Sequence, residues 1–233
     1  GDKPRIIVLN KSDLADRAVN RVWIEYFHGT SQICIEADCT TGRGVKEIPL
    51  ILKDMTAGRR QRLKSKGIVS KPVRVMVAGI PNVGKSSLIN RISGRATART
   101  GDKPGITKGK QWIKLGEGLE MLDTPGILWP KFDDQQSGLH LAFTGAIRDE
   151  IFDSVELSLK LLDEIKRIAP GGLRKRYGVD PESGDAYALL QMIALRRGCK
   201  LKGGIPDEER ISKILLDEFR SGKIGGISLE RPL

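Results

Sequence analysis

Cysteine and histidine are scarce in this 233-residue chain: Cys34, Cys39 and Cys199 form no CxxC pair, and His28 and His140 are the only imidazoles. A structural zinc centre or a disulfide framework is therefore not expected, and a reducing, cytoplasmic setting is. No apolar run approaches the roughly 18 residues that a membrane-spanning helix needs, which excludes a bilayer span. No secretory signal is visible. The chain opens on Gly1 rather than Met, with a strand pattern only a few residues in, and reads as a fragment of a longer product. Internal repeats are also lacking, the recurrence of Gly-Asp-Lys-Pro at residues 1 and 101 being taken as chance. What the chain has in excess is positive charge. A net +11 biases it towards a polyanion, because clustered Lys and Arg gain affinity for phosphate backbones through counterion release.

The length suits one sizeable α/β core and a smaller appendage. Residues 5–9 form a short apolar run ending at Asn10, which reads as a buried strand, and a helix is expected over 16–27. A second strand is expected at 32–37, a turn at 40–44 and a helix over 45–55. Residues 58–71 are basic and aperiodic and read as a connector. A third strand at 73–78 runs into a glycine-containing loop and a helix from about 85 to 92. Polar residues 97–111 read as a mobile loop, and 120–122 as a strand that stops at Asp123. The alternation predicts an α/β domain with a mostly parallel sheet over residues 1–145. After residue 145 the strand signals vanish. Ile151, Val155, Leu159, Leu162 and Ile165 recur at helical spacing, as do Ala186, Leu189, Leu190 and Ile193. A further helix opens near Pro206 with Asp207, Glu208 and Glu209 in its first turn and ends before Gly222. Residues 146–233 are thus expected to be an all-helical domain.

Three motifs carry chemistry. Gly79-Ile-Pro-Asn-Val-Gly-Lys-Ser86 fits GxxxxGK[ST] between an expected strand and an expected helix, the context a phosphate-binding loop requires. Backbone N–H groups over Asn82, Val83, Gly84, Lys85, Ser86 and Ser87 would surround the β-phosphate. Lys85 would bridge the β- and γ-phosphates, and the Ser86 hydroxyl would bind Mg²⁺. Asp123-Thr-Pro-Gly126 fits DxxG, in which Asp123 would hold Mg²⁺ through water and the Gly126 N–H would sense the γ-phosphate. Thr107, in the polar loop between them, is placed to complete the Mg²⁺ shell.

Asn10-Lys11-Ser12-Asp13 fits NKxD, whose Asp accepts two hydrogen bonds from guanine N1 and N2. Adenine lacks that donor pair, and a carboxylate left unpaired would penalise it by ~2 to 5 kcal/mol. Asp38-Cys39-Thr40 loosely fits the loop that gives a backbone N–H to guanine O6, so the Cys39 thiol is expected to be incidental. Each motif also has an ordinary reading as a turn or helix cap. Their joint presence favours the nucleotide.

The order is NKxD, then phosphate loop, then DxxG, whereas ordinary small GTPases begin with the phosphate loop. The chain resembles the circularly permuted GTPases, and most closely the YlqF/RbgA family of ribosome-assembly GTPases. The resemblance lies in LNKSDL at 9–14, GIPNVGKSSLIN at 79–90, PGITKG at 104–109, LDTPGIL at 122–128, KGGIPDEER at 202–210 and RSGKIGGISLERP at 220–232. It implies GTP hydrolysis in late assembly of the large ribosomal subunit, a GTP state that docks on ribosomal RNA, and a monomer. It also implies potassium near Asn82, so that Lys85, Thr107 and Asn82 form the catalytic set, with a histidine from a segment preceding Gly1. Ile127 stands where Ras-like enzymes carry a water-orienting Gln, so slow intrinsic turnover is expected. Ordering of 97–107 and 126–136 by the γ-phosphate is expected to be relayed to residues 146–232. Basic stretches at 59–66, 174–176 and 196–202 are candidate RNA contacts, with Tyr177 either stacking on a base or packing. Two alternatives stay open: a nucleotide-gated RNA scaffold that scarcely hydrolyses GTP, and a permuted GTPase of small-subunit or organellar ribosome assembly.

Overall fold

The computed structural model describes residues 3–67, 72–94, 111–116, 118–124 and 134–232. Its elements alternate β1 (Ile6–Leu9), α1 (Arg17–Gly29), β2 (Ile33–Glu36), α2 (Glu47–Ser65), β3 (Val73–Val77), α3 (Lys85–Ser93), β4 (Gln111–Gly116) and β5 (Leu119–Asp123). Then come α4 (Gln135–Phe143), α5 (Ser154–Ile168), α6 (Pro170–Tyr177), α7 (Ala186–Arg196) and α8 (Glu208–Arg220). The chain divides into two compact units, one of residues 1–12 and 20–129, the other of residues 13–19 and 130–233. The second unit therefore takes in residues 134–145 and a short segment that runs into the first turn of α1, which the sequence pattern grouped with the α/β part.

In the α/β unit, β1 and β2 pair in parallel, as do β3 and β5. β4 runs antiparallel to β5 and was not anticipated: Trp112 exposed, Ile113 buried and Lys114 exposed is the alternation of a half-buried strand. α2 reaches Ser65, so most of the expected connector is helical. Its Arg, Gln, Leu and Lys residues are strong helix formers, and their propensity outweighs the weak apolar periodicity. α3 serves two apolar clusters at once. Leu88 packs with Ala37, Val45 and Ile48, while the neighbouring Ile89 packs with Ile113 and Met121. The helix behind the phosphate loop is thereby anchored to both pairs of parallel strands.

Four helices of the helical unit start in one way, while α6 opens on Pro170 without a side-chain cap. Asp134, Asp153, Asp185 and Asp207 each sit at an N-cap and accept first-turn N–H groups of α4, α5, α7 and α8. Leu161, Leu162 and Ile165 of α5 meet Leu189, Leu190 and Ile193 of α7 and Ile211 and Leu215 of α8 in a fully buried core. Where α5 crosses α8 the Ser158 and Ser212 hydroxyls bond at 2.8 Å, each satisfying the other.

Among the described residues of this unit, Glu218 is a buried carboxylate. Glu218 accepts from Arg176, from Arg197 at 2.6 Å and from the Tyr177 hydroxyl at 2.8 Å. These donors, Arg176 foremost, hold its carboxyl down at about 2 against the opposing effect of burial. Tyr177 is pushed up, by burial first and then by Glu218. Tyr177 is thus a packing residue and not a base-stacking one. Arg174 pairs with Asp180 at 2.8 Å, and Arg196 donates to the carbonyls of Tyr177 and Gly178. Four of the arginines proposed for RNA are therefore engaged within the unit, leaving Lys175, Lys200 and Lys202 exposed. No helix among the described residues is long and apolar enough to cross a membrane.

Because Glu218 has a depressed pKa, its stabilisation is complete above its ordinary value of 4.5 and is lost as pH falls towards about 2. Glu218→Gln should cost about 2 kcal/mol at pH 7. It should also flatten the loss of stability on acidification, as read by urea denaturation at pH 7 and pH 3 with circular dichroism.

Candidate functional site: a phosphate loop tied to a base-recognition motif

β3 ends at Val77 and hands the chain to a loop that turns at Asn82, with φ +59°, and at Gly84, with φ +89°. Gly84 is the N-cap of α3 and brings no side-chain acceptor. The first-turn N–H groups of a helix capped in this way suit an external anion. Lys85 curls back over the loop, donating to the carbonyls of Gly79 at 2.9 Å and Ile80 at 2.8 Å. Burial pulls its ammonium pKa down, and the nearby Asp123 charge opposes this.

Asp123 arrives at the same place because β5 runs parallel to β3 with Val77 opposite Asp123. The next residue fastens the strand end, the Thr124 hydroxyl donating to the Val77 carbonyl. Asp123 Oδ2 accepts from the Ser86 hydroxyl at 3.2 Å, while its buried Oδ1 has no hydrogen-bond partner among the described residues. Burial pushes the carboxyl pKa up, against the Ser86 bond and Lys85. A buried carboxylate with an unused oxygen beside a hydroxyl is a donor set that fits a hard divalent cation such as Mg²⁺. Among the described residues no group of three or more His, Cys, Asp or Glu could hold a metal ion. The remaining ligands of such an ion would be phosphate and water oxygens, which is how Mg²⁺ is usually held.

The other half of the site comes from β1. Beyond Leu9 the chain turns through Lys11 at φ +55°, and the buried Ser12 donates its N–H to the Ala37 carbonyl at 3.1 Å. The Asn10 side-chain amide donates to the Val83 carbonyl at 2.7 Å. A Cβ on Gly84 would run into that amide, so glycine is required there by contact as well as by φ. The Asn10 amide oxygen accepts from the Cys39 thiol at 3.2 Å. The thiol, expected to be incidental, thus has a definite position, one that no local pattern signals because its partner lies 29 residues away. Arg43 donates to the Ser12 hydroxyl at 3.1 Å, another long-range contact that the sequence does not announce.

Asp38 builds the turn that carries Cys39. Its carboxylate accepts from the Thr41 hydroxyl and from the Thr40 and Thr41 N–H groups, and these bonds hold its pKa below the usual range despite burial. Its side chain is committed to the loop, leaving main-chain atoms for any ligand. Asp13 is exposed. Thr107, Gly126 and Ile127, and with them the expected mobile loop and most of the relay segments, lie outside the described residues. His28 is exposed near the end of α1, and His140 is buried against Glu230 at 2.8 Å in the helical unit. Neither histidine is assigned to the chemistry.

Comparison with known proteins gives the family and the fold. Residues 74–177 match a family model described as 50S ribosome-binding GTPase. The chain is 41% identical to ribosome biogenesis GTPase A of Bacillus cereus, over 99% of this chain and 78% of that protein. It is 31% identical to mitochondrial ribosome-associated GTPase 1 of Bos taurus, over all of this chain and 75% of that protein. GNP-bound YlqF from T. maritima superposes with a TM-score of 0.65 at 27% identity, covering 97% of this chain and 81% of that one. A GDP-bound YlqF structure gives 0.66 with coverage of 97% and 83%. Fold and comparisons together define a P-loop GTPase in which the NKxD sequence precedes the phosphate loop. The chain belongs to the ribosome biogenesis GTPase A family.

Gly84→Ala combines a strained positive φ with displacement of Asn10. It should weaken GDP binding by at least about tenfold, since an L-residue in the left-handed region alone costs about 1–2 kcal/mol. Fluorescent-nucleotide titration checks this, with circular dichroism showing that the helical unit is retained.

Proposed function

We propose that this chain hydrolyses GTP during late assembly of the large ribosomal subunit, in the cytoplasm, with its nucleotide state governing its hold on ribosomal RNA. The observation that carries the nucleotide reading is the Asn10 amide on the Val83 carbonyl at 2.7 Å, which fastens the start of the base motif to the phosphate loop. In this reading Asp13 accepts from guanine N1 and N2, and Asp38 and Cys39 offer main-chain atoms to O6. Asn82 to Ser87 enclose the phosphates, and Lys85 neutralises charge that develops between them. Ser86 and, through water, Asp123 would hold Mg²⁺, joined by Thr107, while Gly126 would meet the γ-phosphate. Bound there, the ion would neutralise charge on the β- and γ-oxygens. Asn82 would in addition contact potassium.

The ribosomal part rests on the 41% identity to a protein named ribosome biogenesis GTPase A across 99% of the chain. Among the described residues, Lys175, Lys200 and Lys202 are the exposed cations of the proposed RNA stretches of the helical unit that carry no ion pair, while Arg196, also without one, is spent on the carbonyls of Tyr177 and Gly178. The competing scaffold reading draws on Ile127, which supplies no water-orienting amide. Multiple-turnover hydrolysis with and without large-subunit precursors separates the two: stimulation supports an enzyme, and negligible turnover in both supports a scaffold.

Three outcomes follow. Turnover should be faster in potassium than in sodium at equal ionic strength, and equal rates would remove Asn82 from the catalytic set. Capture with a GTP analogue should enrich large-subunit over small-subunit RNA. Lys200→Glu with Lys202→Glu should weaken that binding and reduce the log-affinity against log-salt slope by about 2, one for each lost phosphate contact.

A further inference from the structure

After α8 the chain continues as Ser221-Gly-Lys-Ile-Gly-Gly-Ile-Ser-Leu-Glu230, and this tail lies along residues 14–16, which follow Asp13 directly. The Ile227 N–H donates to the Leu14 carbonyl at 3.0 Å, and the Ser228 hydroxyl accepts the Asp16 N–H at 3.1 Å. Asp16 in turn accepts the Ala18 N–H at 2.7 Å and so caps α1. Two glycines permit this approach. A Cβ on Gly226 would stand 2.6 Å from the Ala15 carbonyl oxygen, and one on Gly222, whose φ is +71°, 2.8 Å from Leu14 Cδ2. The tail is itself well anchored. Ile224 is buried, its carbonyl lies so close to α6 that a Cβ on Gly172 would come within 2.7 Å, and Glu230 bonds His140 at 2.8 Å.

We propose that this tail is a positioning strap for the base-recognition motif, with Ser228 and Gly226 acting through Asp13. Within the helical unit the tail holds Leu14 and Asp16, the residues that follow Asp13 directly. The Asp13 carboxylate has to meet two donors on one edge of a guanine, and a small misplacement loses the second bond first. The tail thereby sets how sharply the base is read. The inference rests on Asp13 being the guanine contact.

The test measures dissociation constants of GDP and of IDP, which lacks the exocyclic N2 amino group, on the full chain. A second hydrogen bond to a carboxylate should make the unaltered protein prefer GDP by at least about tenfold. Ser228→Ala should weaken GDP about threefold and Gly226→Ala about tenfold, with IDP changing little, so that the preference narrows. Ser228→Thr keeps the hydroxyl and should retain the preference. Loss of folded protein alone would lower both affinities together and leave their ratio unchanged. If Ser228→Ala keeps the full GDP preference, the strap is refuted, whether or not Gly226→Ala folds. Asp13→Asn is the separate control. If it leaves the preference intact, the base reading itself falls; if it narrows the preference while the tail variants do not, only the strap falls.

Discussion

The bond from the Asn10 amide to the Val83 carbonyl joins two motifs 73 residues apart, and the rest of the site is arranged around it. Gly84 must be glycine so that the amide can approach. Cys39 accounts for the other end of the same amide, so both polar atoms of Asn10 are satisfied and its orientation is set. In an ordinary GTPase the phosphate loop comes first in the chain. Here the base motif does, and the contact is unaffected, because what matters is that β1 and β3 each deliver a loop at their C-terminal ends.

Around Lys85 and Asp123 the structure stores polar groups under conditions that neither would choose alone. Burial pushes the two pKa values towards the neutral forms, each charge partly offsets the other, and one Asp123 oxygen has no hydrogen-bond partner among the described residues. Such an arrangement is costly in isolation, and in the proposed function a phosphate and a cation would offset that cost. The helical unit handles its buried charge in the opposite way. Glu218 is surrounded by three donors and is fully satisfied, which gives stability and a fixed packing between α6, α7 and α8 rather than a binding site.

The same contrast changes the meaning of the basic stretches. Arg174, Arg176, Arg196 and Arg197 looked alike in sequence to their lysine neighbours. The guanidinium's planar fork suits carboxylates and carbonyls, and all four are used within the fold, whereas the exposed lysines keep their charge directed at solvent. A run of positive charge thus divides into a structural part and a part available to a polyanion.

The sequence by itself determined the α/β class, the helical C-terminal part and the GTPase family, and it offered the phosphate loop, the DxxG aspartate and the NKxD motif as the candidate site. These depend on local spacing: strand periodicity, helical periodicity, and short motifs whose residues act within a few positions of one another. Even there a weak pattern misled at residues 58–65, where helix propensity prevailed, and β4 went unread although its alternation was present. Only the tertiary structure decided that the Cys39 thiol faces Asn10, that Tyr177 and two arginines surround Glu218, that Asp38 spends its carboxylate on its own turn, and that the tail lies against residues 14–16. Apart from Asp38, each of these pairs residues more than 20 positions apart, and such contacts are chosen by packing and by the need to satisfy buried polar groups, which no local pattern records.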